Sequence, residues 1–423
     1  MQTSFTPEQL ADPELRRADE ILRKCVHCGF CMATCPTYLI TGNELHAPRG
    51  RVYLIRTLLE DTTGAVARDA EVVRSLDACL TCFSCLTACP SGVDYDELID
   101  IARHRLRDTP ARDGAKRFFR RLLLRTVPEP KRLRTVLALA RPLAGLSALL
   151  EKSPALKPAA RMLRMARQAR PARPLSGTFA PRGKARGRVA VLAGCAQAVL
   201  ARRITEATVK ILNAAGLEVV IPEQAGCCGA MELHLGERQA AQARAAANVR
   251  AWERAGVDAV IIDASGCAGT VKDYARLLAG SELAQPAARL AENAFELAEF
   301  LHQLPQGQKP VFQAPRPRRV VFHAPCSLTH HLRAADLPRR LLEEAGHEVM
   351  EAAENHLCCG AGGANAVLEP EVADTLRARK LQHLLGAEAD IIATANFGCL
   401  RHLAQQSPRA IVHYAELLAD ALP

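Results

Sequence analysis

Hydrophobic positions keep two different rhythms along this chain. From residue 188 onward, short apolar and β-branched runs recur, and each ends at a cysteine. RVAVLAG ends at Cys195, LEVVIPEQAG at Cys227 and DAVIIDASG at Cys267; RRVVFHAP ends at Cys326, HEVMEAAENHL at Cys358 and ADIIATANFG at Cys399. Stretches with a 3.6-residue period, such as LARRITEATVKILNAAG and DLPRRLLEEAG, lie between them. Strand and helix therefore alternate, which predicts β-α-β units with mostly parallel sheets. Before residue 109 the rhythm is helical, in RGRVYLIRTLLE (Arg49–Glu60) and YDELIDIARHRL. The expected fold class is α/β with an N-terminal all-α module. Its expected units are a helical domain over 1–108, a basic helical linker over 109–187, and two tandem α/β domains over 188–310 and 311–423.

Sixteen cysteines change this picture. The N-terminus, MQTSFTPEQLADPELRRADE, is polar and acidic where a signal peptide needs a basic start and an apolar core, so a cytoplasmic location is expected. A reducing compartment keeps no framework of structural disulfides, which leaves metal ligation or redox chemistry. The run CVHCGFCMATCP from Cys25 to Pro36 has the spacing C-x2-C-x2-C-x3-C-P, and CLTCFSCLTACP from Cys79 to Pro90 repeats it. That spacing holds [4Fe-4S] clusters in pairs, with the fourth cysteine of each run ligating the other cluster. One set is then Cys25, Cys28, Cys31 and Cys89, and the other Cys79, Cys82, Cys85 and Cys35. Zinc also takes C-x2-C pairs, but it does not account for a third thiolate and a closing C-P in both runs. The 43 residues between Cys35 and Cys79 exceed what a compact ferredoxin needs, so a helical ferredoxin module is expected. Arg49 and Arg51 within it are candidates for bonds to the cluster surroundings or for surface cations.

The other eight cysteines repeat as well. Cys195 is followed after 31 residues by Cys227 and Cys228, and after 38 more by Cys267. Cys326 is followed after 31 by Cys358 and Cys359, and after 39 more by Cys399. An offset of about 131 residues between the sets marks a duplicated domain. In parallel sheets, ligands gather beyond the carboxyl ends of the strands, so the four cysteines of a copy can meet at one edge. Gly194, Gly226, Gly229 and Gly266, with Gly360, Gly362, Gly363 and Gly398, stand beside the thiols where backbone must turn tightly and approach a bulky ligand. Buried apolar thiols are the alternative to metal or redox work.

The net charge of +10 is local. Residues 112–188 hold 21 Lys/Arg against Asp113, Glu129 and Glu151, so the flanking domains are mildly acidic. Within this stretch, LRTVLALARPLAGLSALL is too short and too interrupted by Arg134, Arg141 and Pro142 to span a bilayer. Its mixture of apolar and cationic residues suits a helix lying on an anionic membrane, docking on an acidic partner, or a solvated linker. Aromatics at 4%, with Trp252 the one tryptophan, argue against nucleic-acid stacking platforms. No GxGxxG, Walker loop or nucleophile elbow is present, so no flavin or nicotinamide is expected on this chain.

With AGCCGAMELHLG and HLCCGAGGANAV as two CCG signatures, nearly the whole chain resembles iron-sulfur subunits that join an eight-cysteine ferredoxin module to two CCG cysteine-rich domains. On CVHCGFCMATCPTYLITGNELHAPRGRVYLIR and CLTCFSCLTACPSGVDYDELID it is most similar to the iron-sulfur subunits of glycolate oxidase. The resemblance implies electron transfer from an FAD-bearing partner that oxidises glycolate toward a membrane quinone. It also implies a further cluster in each CCG domain and a peripheral place on the cytoplasmic face of the inner membrane. Subunits of lactate or anaerobic glycerol-3-phosphate dehydrogenases are close alternatives, and a non-catalytic redox-sensing metal protein is the third. Heterodisulfide reductase relatives end each CCG domain in C-x-x-C, whereas Thr270 and His402 occupy that last position here, against direct disulfide chemistry. His402 is a candidate ligand, and His323, His330 and His331 around Cys326 are candidates for a quinone or proton path.

Overall fold

The structure, a computed structural model, describes residues 1–181 and 183–423; Arg182, one of the cations of the basic stretch, lies outside the described residues. Helix Pro13–Lys24 begins at Asp12, whose side chain accepts the Glu14 amide, and it turns Leu15, Ala18, Ile21 and Leu22 inward. Helix Pro48–Glu60 buries Val52, Ile55, Leu58 and Leu59, and helix Tyr95–Arg105 buries Leu98, Ile99 and Ala102. Together with helix Ala70–Asp77 these faces close one apolar core that includes Cys79 and Cys85. Each fully buried aliphatic side chain contributes about 1.5–3 kcal/mol, so the helices around the cysteine loops are held firmly.

The remainder is α/β. One sheet contains β1 (Gly177–Phe179), β2 (Gly187–Leu192), β3 (Leu217–Ile221), β4 (Ala259–Ile262) and β5 (Ala294–Glu296) in the order β1-β3-β2-β4-β5. All its pairs are parallel except β1 with β3. The other contains β6 (Arg319–His323), β7 (Glu348–Met350), β8 (Ile391–Thr394) and β9 (Ile411–His413) in the parallel order β7-β6-β8-β9. The six strands expected from the apolar runs are all present, and β1, β5 and β9 are three-residue additions at the edges.

The two α/β units share one hydrophobic core. Val189, Val219 and Ile261 of the first sheet belong to the same buried cluster as Val320, Phe322 and Ile391 of the second. Capping-box helices follow β5 and β9 at equivalent places, starting on Glu296 and His413. Tyr414 donates its hydroxyl to Glu296 across the junction at 2.7 Å, and burial raises that carboxyl to about 8. The duplicated units are thus packed face to face.

The basic stretch is neither a bare linker nor wholly free for an outside partner. Helix Gly114–Thr126 inserts Phe119 and Leu123 among Leu235, Ala364, Val367 and Leu368. Its cations reach acids of this same chain. Arg112 and Arg120 approach buried Asp77 at 2.7 and 3.7 Å, while Lys116, Lys157 and Arg161 meet Glu369, Glu371 and Asp374 at 2.6, 2.7 and 2.6 Å. The physical reason is local: Glu369 and Glu371 open helix Pro370–Gly386, where a carboxylate suits the helix N-terminus, and with Asp374 one turn further on they attract the facing cations.

Candidate iron-sulfur sites

The two C-x2-C-x2-C loops have matching backbone conformations. His27 and Thr81 adopt φ of +56° and +49° at the second position after the first cysteine, and Gly29 and Phe83 adopt +82° and +60° directly after the second cysteine. Left-handed residues at such spacing turn successive amides toward one side, the concave nest that receives anions. Phe83 holds this conformation without being glycine, as do His27 and Thr81.

Cys25, Cys28, Cys31 and Cys89 line one cavity with Arg49, Val52 and Tyr95, and Cys85, expected in the other set, lines it too. Burial, then the neighbouring Cys25, raises the Cys31 thiol to about 11. Cys28 is exposed and is flanked by exposed Val26 and Phe30, so this site reaches the surface. The other set is interior: Cys35, Cys79 and Cys85 are buried. Burial lifts Cys82 well above the ordinary thiol range, as do Cys326, Cys35 and Cys85 around it. Arg51 settles between the two alternatives open for it. It is 2% exposed, donates to Ser75 O at 2.8 Å and Thr37 Oγ1 at 3.0 Å, and lies 3.9 Å from Cys35 Sγ. Arg49 is partly exposed and pairs with Glu44 at 2.7 Å. Burial works to raise Cys79, but Arg51 and Arg103 outweigh it and hold this thiol below its usual range.

Each α/β unit brings its four cysteines beyond the carboxyl ends of its strands. Cys195 follows β2, and Cys267 sits in the first turn of helix Ser265–Lys272 after β4. Cys326 follows β6, and Cys399 sits in helix Phe397–Leu403 after β8. In both copies neighbouring thiols act on one another, in the order Cys195, Cys227, Cys228, Cys267 in the first and Cys326, Cys358, Cys359, Cys399 in the second. Cys326 and Cys358 are 3.8 Å apart and Cys359 and Cys399 3.3 Å. Thiols pressed together and pushed up by one another and by burial cannot all ionise unless a cation takes their charge. Four soft sulfur donors of this kind fit an iron-sulfur or zinc centre.

Both CCG glycines are required for the same reason. Gly229 and Gly360 have φ near +90° and turn their amides toward Cys227 Sγ at 3.5 Å and Cys358 Sγ at 3.4 Å. A Cβ on Gly360 would stand 2.7 Å from Ala373 O. The close approach is to the packed helix, where the sequence suggested a bulky ligand.

The turn Ser327–His331, directly after Cys326, is where three sites converge. Ser327 Oγ bonds Ser265 Oγ near Cys267 at 2.7 Å. His330 Nδ1 is 2.8 Å from Thr87 Oγ1 of the inner ferredoxin loop, and the His331 ring stands edge-on to Phe83 at 5.1 Å. Leu80 shares an apolar cluster with Cys358 and Leu376, against which Cys82 and Cys326 pack. Of the histidines named for a quinone or proton path, His330 joins the second α/β unit to the inner ferredoxin loop, and His331, partly exposed, also faces Asp273 at 3.3 Å. His323 is 1% exposed and bonds Thr394 Oγ1 at 3.0 Å. His402 bonds Ala373 O at 3.1 Å, and the histidine close enough to join Cys359 and Cys399 around a metal is His323 instead. Tyr95, Arg103, Thr87, Glu232 and Lys380 border the sites without any motif to announce them.

Comparison with known proteins agrees with this geometry. A family described as a 4Fe-4S dicluster domain matches residues 21–93, and one described as a cysteine-rich domain matches 189–272 and 320–404. The glycolate oxidase iron-sulfur subunit of Escherichia coli is 35% identical over 100% of this chain and 99% of its own. The probable glycolate oxidase iron-sulfur subunit of Bacillus subtilis is 31% identical with the same coverage. Lactate utilization protein A of Geobacillus thermodenitrificans is 29% identical over 55% of this chain and 98% of its own. A hypothetical protein from Helicobacter pylori shares the fold at a TM-score of 0.54 and 10% identity, over 97% of this chain and 73% of that one. Two ferredoxin-type loops, two CCG domains and full-length similarity together place this chain in the family of glycolate oxidase iron-sulfur subunits.

Proposed function

We propose that this chain is the electron-transfer subunit of a glycolate-oxidising complex, carrying electrons from an FAD-bearing partner toward membrane quinone. The observation that carries the reading is the arrangement of the sites. One ferredoxin site opens at the surface, the second is buried against the second CCG domain, and that domain faces the first across Ser265 and Ser327. The ligands are Cys25, Cys28, Cys31 and Cys89 for the outer cluster, and Cys79, Cys82, Cys85 and Cys35 for the inner. Each CCG domain adds one further centre on its four thiols. When bound, such clusters exchange single electrons over a wide range of potentials. Glycolate gives up a hydride and a proton to become glyoxylate, which requires a flavin on the partner. The exposed outer site, with Val26 and Phe30 beside Cys28, is where that donor docks.

The test is to purify the complex anaerobically, add glycolate and follow cluster absorbance near 400 nm. Bleaching faster with glycolate than with lactate or glycerol 3-phosphate is the expected result. Bleaching by dithionite but by no hydroxy acid would sink the glycolate assignment. Similarity to lactate utilization proteins is the observation behind the second reading, in which lactate is the faster reductant.

Peripheral membrane contact through 112–188 is part of the same proposal, and the structure directs attention to its apolar residues. No single helix among the described residues is long and apolar enough to cross a membrane. Leu139, Leu143, Leu146 and Leu149 are 68, 52, 49 and 63% exposed around the bend at Pro142, with exposed Lys131, Arg132, Arg141 and Lys152 nearby. Half-burying such leucines in an interface contributes about 1 kcal/mol each. Replacing Leu143, Leu146 and Leu149 by Gln is expected to lower binding to anionic vesicles at least tenfold in a flotation assay. Unchanged flotation would remove this segment as the contact.

A further inference from the structure

The second CCG site contains a buried cation that nothing acidic balances. Lys380, on helix Pro370–Gly386, is 2% exposed. Its Nζ donates to Glu354 O at 2.6 Å and Asn355 O at 3.3 Å, both main-chain carbonyls. The Glu354 carboxylate itself is occupied by Arg379 at 2.6 Å and His383 at 3.0 Å. Among the described residues no carboxylate lies within ion-pair distance of Lys380. Those carbonyls lie three and four residues before Cys358, the Asn355 side chain bonds Ala324 N and Phe322 O just before Cys326, and the same helix packs through Ala373 and Leu376 against Gly360. A buried ammonium is expensive unless an opposite charge compensates it. The compensating charge available is that of the four thiolates.

The first copy is built the other way. Val249 stands 21 residues after Cys228, as Lys380 stands 21 after Cys359, and it is fully buried among Trp252 and Tyr274. Leu192 occupies the place of His323. The charge beside these thiols is Glu232, whose Oε2 is 3.8 Å from Cys227 Sγ and whose Oε1 meets Arg244 at 3.1 Å. The second copy has Gly363 at that position.

We propose that Lys380 is the built-in counter-charge of the centre held by Cys326, Cys358, Cys359 and Cys399, and that it makes this centre the higher-potential one of the two CCG sites. The inference rests on the reading that both CCG domains hold iron-sulfur centres. Reduction adds one negative charge to an already anionic centre, and a fixed cation in a poorly screening interior stabilises the reduced form more than the oxidised. In the first copy the charged groups described beside the thiols, Glu232 and Arg244, pair with each other and leave no net counter-charge. Electrons arriving from the inner ferredoxin site then settle first on the second CCG domain, the one Cys82 touches.

The experiment is an EPR-monitored redox titration of the anaerobically purified full chain, with iron counted and the signal assigned by its loss in Cys399→Ser. Lys380→Gln keeps a donor for the two carbonyls but removes the charge. It is expected to shift the one-electron equilibrium of this centre toward the oxidised form at least tenfold, about 59 mV, with Lys380→Arg retaining the wild-type midpoint. Loss of this iron in Lys380→Gln alone would support the same role. An unmoved midpoint at about sixteen irons per chain, or equal loss of iron in both variants, would overturn it. About eight irons in the wild type would instead fell the reading of clusters in the CCG domains, and the inference with it.

Discussion

Arg51→Met is expected to empty the inner ferredoxin site, lowering iron by about four per chain while leaving the outer cluster in place. The argument begins with the helix that carries Arg51. Pro48–Glu60 presents Val52, Ile55 and Leu59 to the core, and Arg51, one residue before Val52, is driven inside with them. Burial alone would make the charge untenable, yet Cys79, Tyr95 and Cys35 raise its pKa above even the usual guanidinium range. Each of its three nitrogens has a partner, the Ser75 carbonyl, the Thr37 hydroxyl and the Cys35 thiol. Thr37 in turn donates to His46 O at 2.7 Å, so the cation fixes both the Cys35 loop and the turn before the helix. Methionine fills similar volume but leaves these acceptors and the Cys35 and Cys79 thiolates without a counter-charge. Removing one partner of a buried ion pair costs about 3–5 kcal/mol. Arg49→Met is the control, because a partly exposed pair such as Arg49 with Glu44 contributes about 0–1 kcal/mol. Iron analysis and cluster EPR of both variants decide it: a full inner-cluster signal in Arg51→Met would refute the assignment.

Arg51 also shows what a sequence discloses and what it conceals. Its place near the clusters was readable, since it lies in the amphipathic run between two cysteine motifs. Its burial was not, because one helical period brings Arg49 and Arg51 to different faces and only the packed core chooses between them. The strands that precede the CCG cysteines were legible for a simpler reason. Val189, Val260, Val320 and Ile392 lie in runs whose apolar character reflects sheets covered on both faces. The edge strands β5 and β9 have three residues each, too short for a period to develop. The partner of the basic stretch was hidden too, because Lys116 and Glu369 are 253 residues apart and charge runs do not name what they face. Lys380 and Glu232 left a trace in the duplication: aligning the copies on their paired cysteines sets Val249 against Lys380 and Glu232 against Gly363. The copies thus differ at two positions beside their thiols while keeping their cysteines in register.

Cys82→Ser is expected to cut the path between the outer ferredoxin site and both CCG domains. Serine offers a hard, normally protonated oxygen where iron prefers a thiolate, so the inner cluster is lost with about four irons per chain. Cys82 stands at the junction. It shares an apolar contact with Cys326 across the cluster of Leu80, Cys358 and Leu376, and the same face is pinned by Thr87 to His330 and by Asn365 to Cys79 O at 3.1 Å. These contacts belong to backbone and neighbours that the substitution leaves alone, so the domains stay docked and the loss is confined to the wire. In the loaded complex, glycolate should then still bleach the outer cluster, while the CCG signals remain oxidised in freeze-quench EPR. The intact docking is checked separately by an unchanged unfolding profile of the CCG region. Reduction of the CCG centres at the wild-type rate in a variant lacking the inner cluster would show that electrons enter these domains elsewhere, and the sequence of sites proposed for this subunit would have to be redrawn from the CCG side.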